Sequence, residues 1–195
     1  MPLTTLTRPR VALLIETSAG YGRDLLHGVH DWTRNGQPWS IRFTEHPLRT
    51  ALPSWLKYWE GDGIIARVDS DAIARALRRT GLPVVDVSAE RARSEFPRVS
   101  IDNRAVARVA ADHLLGKQLR HFAYCGDGQT LWSRERGVAF ARAIKTCGFA
   151  CAEFSTPPRG KTGWDSQVNA LAQWLRQQPK PLGLLACFDG RAQLV

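Results

Sequence analysis

The sequence predicts an α/β fold in which parallel sheets carry helices on both faces. Short apolar runs typical of strands alternate with longer segments of helical spacing, and polar or glycine-containing loops separate them along the whole chain. Such alternation favours parallel sheets, because each crossover helix returns the chain to the same end of the sheet. The 195 residues, 44% of them hydrophobic and 23% charged, are enough for a sizeable core.

The first half of the chain begins with the clearest unit of this pattern. Arg10 to Ile15 is an apolar run that predicts a strand, and a polar loop leads from it into a helix over 21–35 with Leu25, Val29 and Trp32 at helical spacing. The later elements predicted in this half are strands at 40–44, 64–66, 83–87 and 99–101 and helices near 55–59, at 70–80 and at 103–117.

A second series of strands and helices begins at His121. It predicts strands at 121–124, 150–154 and 183–186 and helices at 133–147 and 164–178, with loops at 125–130 and 157–160. Another helix is expected to start at Asp189, six residues before Val195. We therefore expect the chain to be a fragment of a longer protein, truncated at its C-terminus.

Charge and cysteine content limit the classes of function. Five lysines and 22 arginines outweigh 18 acidic residues and give a net charge of +9, but no stretch of five like charges marks a nucleic-acid tail. Two interpretations stay open, a solvated surface and a face for a polyanion. The four cysteines lack the spacing of a metal quartet, so each is expected to be a small buried residue. The sequence predicts neither a membrane span nor an export signal, which favours a cytoplasmic location.

Motifs for catalysis and cofactor binding fail on spacing. Gly160-Lys161-Thr162 lacks the earlier glycine of a phosphate-binding loop, and no nucleophile elbow is present. His27 and His30 share a helix face, but no third ligand lies nearby in the sequence. We predict no catalytic residue, no metal and no cofactor. An enzyme on this fold would depend on Glu16 with Asp102, the only candidate pair of carboxylates.

The remaining candidates lie in loops that follow the predicted strands. Open α/β sheets bind ligands at the carboxyl ends of their strands, and a sugar site combines aromatic rings with carboxylates and guanidinium groups. A simpler interpretation exists for several of them, since aspartates before helices are often caps and aromatic or basic residues often serve packing or the surface. The candidate ligand-binding residues are Glu16, Tyr21, Ser88, Asp102, Arg136, Phe188 and Asp189.

Three segments carry a family resemblance. Val99 to Asn103, Ala111 to Lys117 and Arg120 to Gly126 resemble the crossover signature of the periplasmic-binding-protein-like sensor domains of lactose- and galactose-repressor type regulators. Ser133 to Phe140 is similar to the S-x-R-x-x-G-F helix start of the same superfamily and of ribose-binding proteins. The runs from Ala12 and from Trp59 resemble, more narrowly, the sensor half of xylose operon regulatory proteins.

The resemblance implies a type I periplasmic-binding-protein fold of two lobes and gives roles to four residues. Arg136 falls on the arginine that clamps sugar hydroxyls and Tyr21 on an aromatic residue that covers the sugar ring. Ser88 and Phe188 depart from an acidic and a polar pocket position. The implied organisation is a flexible N-terminus at 1–9, an N-terminal lobe at 10–116, a hinge crossover at 117–120 and a partial C-terminal lobe at 121–195.

The resemblance also implies the partners. A monosaccharide such as xylose would close the cleft between the lobes of a bacterial transcription regulator, which would act as a homodimer. A C-terminal helix-turn-helix domain absent from this chain would contact DNA. A sugar-processing enzyme and a transport-type binding protein are the alternatives, and we expect the fragment to be marginally stable or to aggregate.

Overall fold

The computed structural model describes residues 8–48, 50–155 and 164–195, and the chain forms two compact units that divide between Ser100 and Ile101. Strands are β1 (Arg10–Ile15), β2 (Ser40–Glu45), β3 (Gly63–Ala66), β4 (Val84–Asp86), β5 (His121–Gly126), β6 (Cys151–Ser155) and β7 (Leu182–Ala186). Helices are α1 (Gly20–Asn35), α2 (Asp71–Arg78), α3 (Asn103–Gly116), α4 (Leu131–Thr146), α5 (Trp164–Gln177) and α6 (Asp189–Ala192). None of the helices in these ranges has the length and apolar character that a membrane crossing requires.

The first unit is built on a four-stranded parallel sheet in the order β2-β1-β3-β4. β1 is central, and its five apolar residues are all buried because helices cover both faces of the strand. Val11, Leu13 and Ile15 face α1, whereas Ala12 and Leu14 face α2. The parallel alignment brings the carboxyl ends of all four strands to one edge of the sheet.

The bounds of α2 follow from local chemistry. The Ser70 hydroxyl oxygen accepts a hydrogen bond from the Ile73 backbone N–H at 3.3 Å, which satisfies one of the free donors at the helix start. Beyond the helix, Gly81 takes a φ of +69°, which glycine adopts at little cost and which stops helix propagation. The chain then enters β4, so this short helix is a crossover between two parallel strands.

The second unit has a three-stranded parallel sheet in the order β6-β5-β7. α3 and α4 cover one face around Tyr124 and Phe140, and α5 covers the other, where Trp174 packs on Phe154 with ring centres 5.3 Å apart. Tyr124 fits because Gly137 has no side chain: a Cβ there would lie 2.5 Å from the ring. The predicted fold class, parallel sheets with helices on both faces, is thus confirmed.

Several local predictions differ from the structure. The helix expected near 55–59 is a 3-10 turn at Ser54–Tyr58. Residues 99–101 form no strand, and the β-pairing with β4 just before them is an isolated bridge between Asp86 and Arg98. Trp32, expected on the apolar face of α1, is 60% exposed. Cys147 is exposed rather than buried, because it caps α4 at the surface.

The position of α3 also differs from the sequence-based lobe boundary. The predicted N-terminal lobe runs to 116, whereas the second compact unit begins at Ile101. Ala107 and Ala111 of α3 share one apolar cluster with Phe140 and Ile144 of α4, and this packing groups α3 with the second unit. The predicted loop at 157–160, the segment 160–162 that is rejected as a phosphate-binding loop, and most of the predicted N-terminal segment 1–9 lie outside the described residues.

Candidate ligand-binding site

A charged and aromatic cluster lies at the carboxyl ends of β1 and β3 in the first unit. Glu16 follows β1, and Arg67 follows β3, so the parallel pairing of these strands brings the two side chains together. Arg67 Nη1 lies 2.8 Å from Glu16 Oε2, with the side chains 10% and 15% exposed. The Arg67 guanidinium also lies 5.5 Å from the centre of the Tyr21 ring, within the range of a cation–π contact.

Tyr21 lies in the first turn of α1, and a hydrogen bond fixes its hydroxyl end. Its hydroxyl donates to the Val87 carbonyl oxygen at 3.0 Å. Burial raises the pKa of this hydroxyl, and the positive charge of Arg67 partly offsets that rise. The phenol therefore stays protonated as a donor, and the ring is partly buried beside the Glu16–Arg67 pair.

Ser88 belongs to a buried hydrogen-bonded network beyond β4. Its hydroxyl donates to the Val68 carbonyl oxygen at 2.9 Å, and the residue is only 1% exposed. Asp86 is fully buried and accepts hydrogen bonds from the backbone N–H groups of Val68 and Ser88 and from Arg98 Nε. Ser88 therefore links the loop after β4 to the loop after β3 through its hydrogen bond to Val68.

The second unit carries its own cluster around Arg136 of α4. Arg136 Nη1 donates to the Cys187 carbonyl oxygen at 2.5 Å, and Nη2 donates to Asn103 Oδ1 at 3.0 Å. Asn103 in turn donates to Glu135 Oε2 at 3.0 Å. Arg136 Nε is buried and has no hydrogen-bond partner among the described residues. The guanidinium therefore joins α3, α4 and the end of β7, rather than lying on the surface.

Aromatic rings border this second cluster. Trp132 lies one helical turn before Arg136, with its ring centre 5.1 Å from the guanidinium carbon. Phe188 packs edge-on against Trp132 at 6.2 Å between ring centres and remains 46% exposed. Asp189 is exposed in the first turn of α6. An open groove of about 460 Å³ runs past Arg136, Phe188 and Asp189.

Asp102 serves as the N-cap of α3. Its Oδ1 accepts hydrogen bonds from the backbone N–H groups of Ala105 at 3.0 Å and Arg104 at 2.9 Å. These two bonds hold the pKa of Asp102 below its ordinary value. The capping interpretation of Asp102 therefore has direct geometric support, and the carboxylate remains exposed. Asp189 is different, because Phe188 occupies the capping position of α6.

The predicted residues thus fall into two sets. Glu16, Tyr21 and Ser88 belong to the first unit, and Asp102, Arg136, Phe188 and Asp189 belong to the second. Arg67 follows β3 and Asn103 begins α3, but neither is among the predicted site residues, and Trp132 is not among them either. The four-residue spacing of Trp132 and Arg136 on one helix is the signal that would have found it.

We also searched the described residues for groups of side chains that could bind a metal ion. Within 8–48, 50–155 and 164–195, no group of three histidine, cysteine or acidic side chains could hold a metal ion. His27 and His30 are exposed on α1. Glu16, the residue on which an enzyme interpretation depends, is paired with Arg67.

Family models match the two parts of the chain in turn. Residues 10–105 match the XylR N-terminal domain, and residues 111–195 match the periplasmic binding protein-like domain. A xylose operon regulatory protein of Escherichia coli K12 is 32% identical over 95% of this chain, and one of Haemophilus influenzae is 26% identical over 94%. The chain spans about half of these curated relatives, 49% of each.

Solved structures agree with the family models. The structure of the xylose-binding transcription activator XylR superposes with a TM-score of 0.82 at 26% identity, covering 97% of this chain and 49% of that one. The transcription regulator CcpA of Lactococcus lactis, at 20% identity and a TM-score of 0.70, covers 96% of this chain and 70% of its own and supports the fold alone. The relatives named here are regulators rather than enzymes, as the sequence predicts. Together these matches show a XylR-like chain, in which residues 10–105 are similar to the XylR N-terminal domain and residues 111–195 to a periplasmic binding protein-like domain.

Proposed function

We propose that this chain is the sugar-sensing part of a bacterial, cytoplasmic transcription regulator, with xylose or a closely related monosaccharide as its ligand. The observation that carries this proposal is the pair of clusters that place guanidinium groups beside aromatic rings at the carboxyl ends of parallel strands. Open α/β sheets bind ligands at that edge. The names of the relatives, which are xylose regulators, supply the identity of the sugar.

The side chains suit a neutral polyhydroxy ligand. Aromatic rings such as that of Tyr21 cover the apolar face of a sugar, while a charged guanidinium donates strong hydrogen bonds to its hydroxyl groups. Arg136 Nε is an unused donor among the described residues. Asp102 and Asp189 are exposed carboxylates that accept hydrogen bonds from hydroxyl groups. Phe188 and Ser88 complete the proposed set, with Ser88 acting through the loops that it joins.

The signal follows from differential affinity. A sugar that binds one conformation of the sensor better than another shifts the population toward that conformation, so binding itself is the signal. A coupling of about 1–3 kcal/mol is typical of such sensors and suffices to reposition an attached domain. We propose that DNA is contacted by a domain outside this chain and that the whole regulator acts as a homodimer.

Isothermal titration of the chain with D-xylose and with other aldopentoses and aldohexoses tests this function. Arg136→Ala should weaken binding about 10-fold to 100-fold, because a hydrogen bond from a charged donor contributes about 1.5–3 kcal/mol. Arg134→Ala is the matched control, since it removes an exposed arginine from the same helix. Equal affinity of Arg136→Ala and wild type would contradict the role of Arg136. Wild type that binds no sugar of the panel would contradict the function.

A further inference from the structure

The Glu16–Arg67 ion pair contains hydrogen-bond donors that the described residues leave unused. Among those residues, only Glu16 gives the Arg67 guanidinium a side-chain partner, through Nη1 and Oε2 at 2.8 Å. Nε is buried without a hydrogen-bond partner in the described part of the chain, and no hydrogen bond joins Nη2 to any of those residues. Arg67 is 92% buried, so these donors belong to a built environment rather than to a mobile surface side chain.

The surroundings of these donors are those of a ligand contact. They lie at the carboxyl end of β3, beside the Tyr21 ring, and the Tyr21 hydroxyl is anchored on Val87. Val68 and Ser88, which follow in the two neighbouring loops, are themselves linked by a hydrogen bond at 2.9 Å. A guanidinium in such a fixed setting donates in defined directions, with little entropy left to lose on binding.

The sign of the charge decides which ligands fit. An arginine without a counter-ion attracts carboxylates and phosphates, which it binds through two parallel hydrogen bonds. Here the Glu16 carboxylate already neutralises Arg67 at contact distance, so the pair has no net charge. Nη2, which is not among the buried atoms, remains suited to a hydroxyl group. An anionic ligand would instead meet the negative charge of Glu16, which burial partly shields from water.

We propose that the Glu16–Arg67 pair makes this site selective for uncharged sugars over sugar acids and sugar phosphates, with Glu16 as the repulsive element. Arg67 is then a specificity-determining donor, and Glu16 acts through it. This inference rests on the proposed sugar-sensing function, because it concerns the same strand-end cluster. It adds the residue that excludes anionic relatives of that sugar.

Glu16→Gln tests the inference, because glutamine keeps the size and one acceptor oxygen of the side chain while removing its charge. Titration with D-xylose and with D-xylonate measures the selectivity ratio. Wild type should prefer xylose by about tenfold or more, and Glu16→Gln should reduce that ratio by about tenfold. Glu45→Gln is the matched control: Glu45 is an exposed carboxylate at the same edge of the sheet, hydrogen-bonded to Thr17 rather than to Arg67. Its ratio should stay within about twofold of wild type.

A second measurement is independent of sugar binding. Inorganic phosphate, compared with chloride at equal ionic strength, should raise the melting temperature of Glu16→Gln by more than it raises that of wild type and Glu45→Gln, which show only the general stabilising effect of this salt. The double variant Glu16→Gln with Arg67→Gln should lose the additional increase, which assigns it to Arg67. An equal response to phosphate in wild type and Glu16→Gln would overturn the inference.

The two tests separate the inference from the function on which it rests. If wild type binds xylose and Glu16→Gln leaves the selectivity ratio unchanged, the inference is wrong and the sugar-sensing function stands. If wild type prefers xylonate, the inference is wrong as well. If wild type binds neither sugar, the proposed function is wrong, and the phosphate measurement still decides whether Glu16 neutralises Arg67.

Discussion

Two glycines of α1 predict opposite effects of the same substitution. A Cβ at Gly22 would lie 1.8 Å from the carbonyl oxygen of Glu16 and 3.5 Å from Ile15 Cγ2, so only glycine allows the loop after β1 to pack on this helix. A Cβ at Gly28, in the middle of the same helix, would meet no atom within 4 Å. Alanine at the first position must therefore displace the loop that carries Glu16, while alanine at the second has open space.

The magnitudes follow from these distances. Ordinary contacts begin near 3.4 Å, so Gly22→Ala requires a displacement of about 1.6 Å between the new methyl group and a backbone oxygen. Overpacking of this kind costs about 1–3 kcal/mol, and the gain in helix propensity near the first turn offsets only part of it. Gly28→Ala should instead stabilise the unit by about 0.5–1 kcal/mol, because alanine is the better helix former.

Thermal unfolding followed by circular dichroism distinguishes the two variants. For a unit of this size, about 1 kcal/mol corresponds to about 4–8 °C, so we expect Gly28→Ala to melt a few degrees above wild type and Gly22→Ala at least about 4 °C below it. Xylose affinity should fall in Gly22→Ala and stay unchanged in Gly28→Ala, since only the first moves Glu16. A Gly22→Ala variant as stable as wild type would refute the reasoning.

Three further predictions concern stability and reactivity. Burial lowers the pKa of His46, which is 3% exposed. The stability that depends on its neutral form is therefore present above about pH 6.5 and is lost as the pH falls. Between pH 7.5 and 5, the melting temperature of His46→Asn should depend less on pH than that of wild type. Tyr124→Phe removes a hydrogen bond to the Ser133 carbonyl oxygen at 2.6 Å and should cost about 1–2 kcal/mol in urea unfolding, and an unchanged midpoint would contradict this. Exposed Cys147 should react first with a thiol reagent, because burial raises the thiol pKa of the other three cysteines; four equal rates would contradict this.

The elements predicted best are those that local pattern determines. Arg10 to Ile15 is predicted as a strand and forms one, because five consecutive apolar residues require a position covered on both faces. The start of α3 at Asn103 is likewise predicted, since Asp102 supplies a capping oxygen and the helical spacing begins at once. In both cases, the chemistry that decides the structure lies within a few residues.

Features that depend on distant partners could not be predicted from spacing. Arg136 donates to Asn103, 33 residues away, and to Cys187, 51 residues away. Arg67 and Glu16 are also 51 residues apart, and only the pairing of β1 with β3 brings them together. The exposure of Trp32 depends on where α1 lies over the sheet. Helical spacing places Trp32 on the apolar face of the helix, but it does not determine how much of that face the sheet covers.

Arg67 and Arg136 differ in how their positive charges are balanced. This difference indicates which of them contributes to affinity and which to the choice of ligand. The acceptors of Arg136 are a backbone carbonyl and an amide oxygen, both uncharged, so this guanidinium keeps its positive charge and forms the stronger, charge-assisted hydrogen bonds to hydroxyl groups. Arg67 is neutralised by a carboxylate, and a largely buried ion pair of this kind contributes little net stability, because desolvation opposes the attraction. A pair that adds little to folding and leaves donors open is better explained by selection of the ligand. Affinity should therefore respond most to substitution of Arg136, and discrimination between neutral and anionic ligands most to substitution of Glu16.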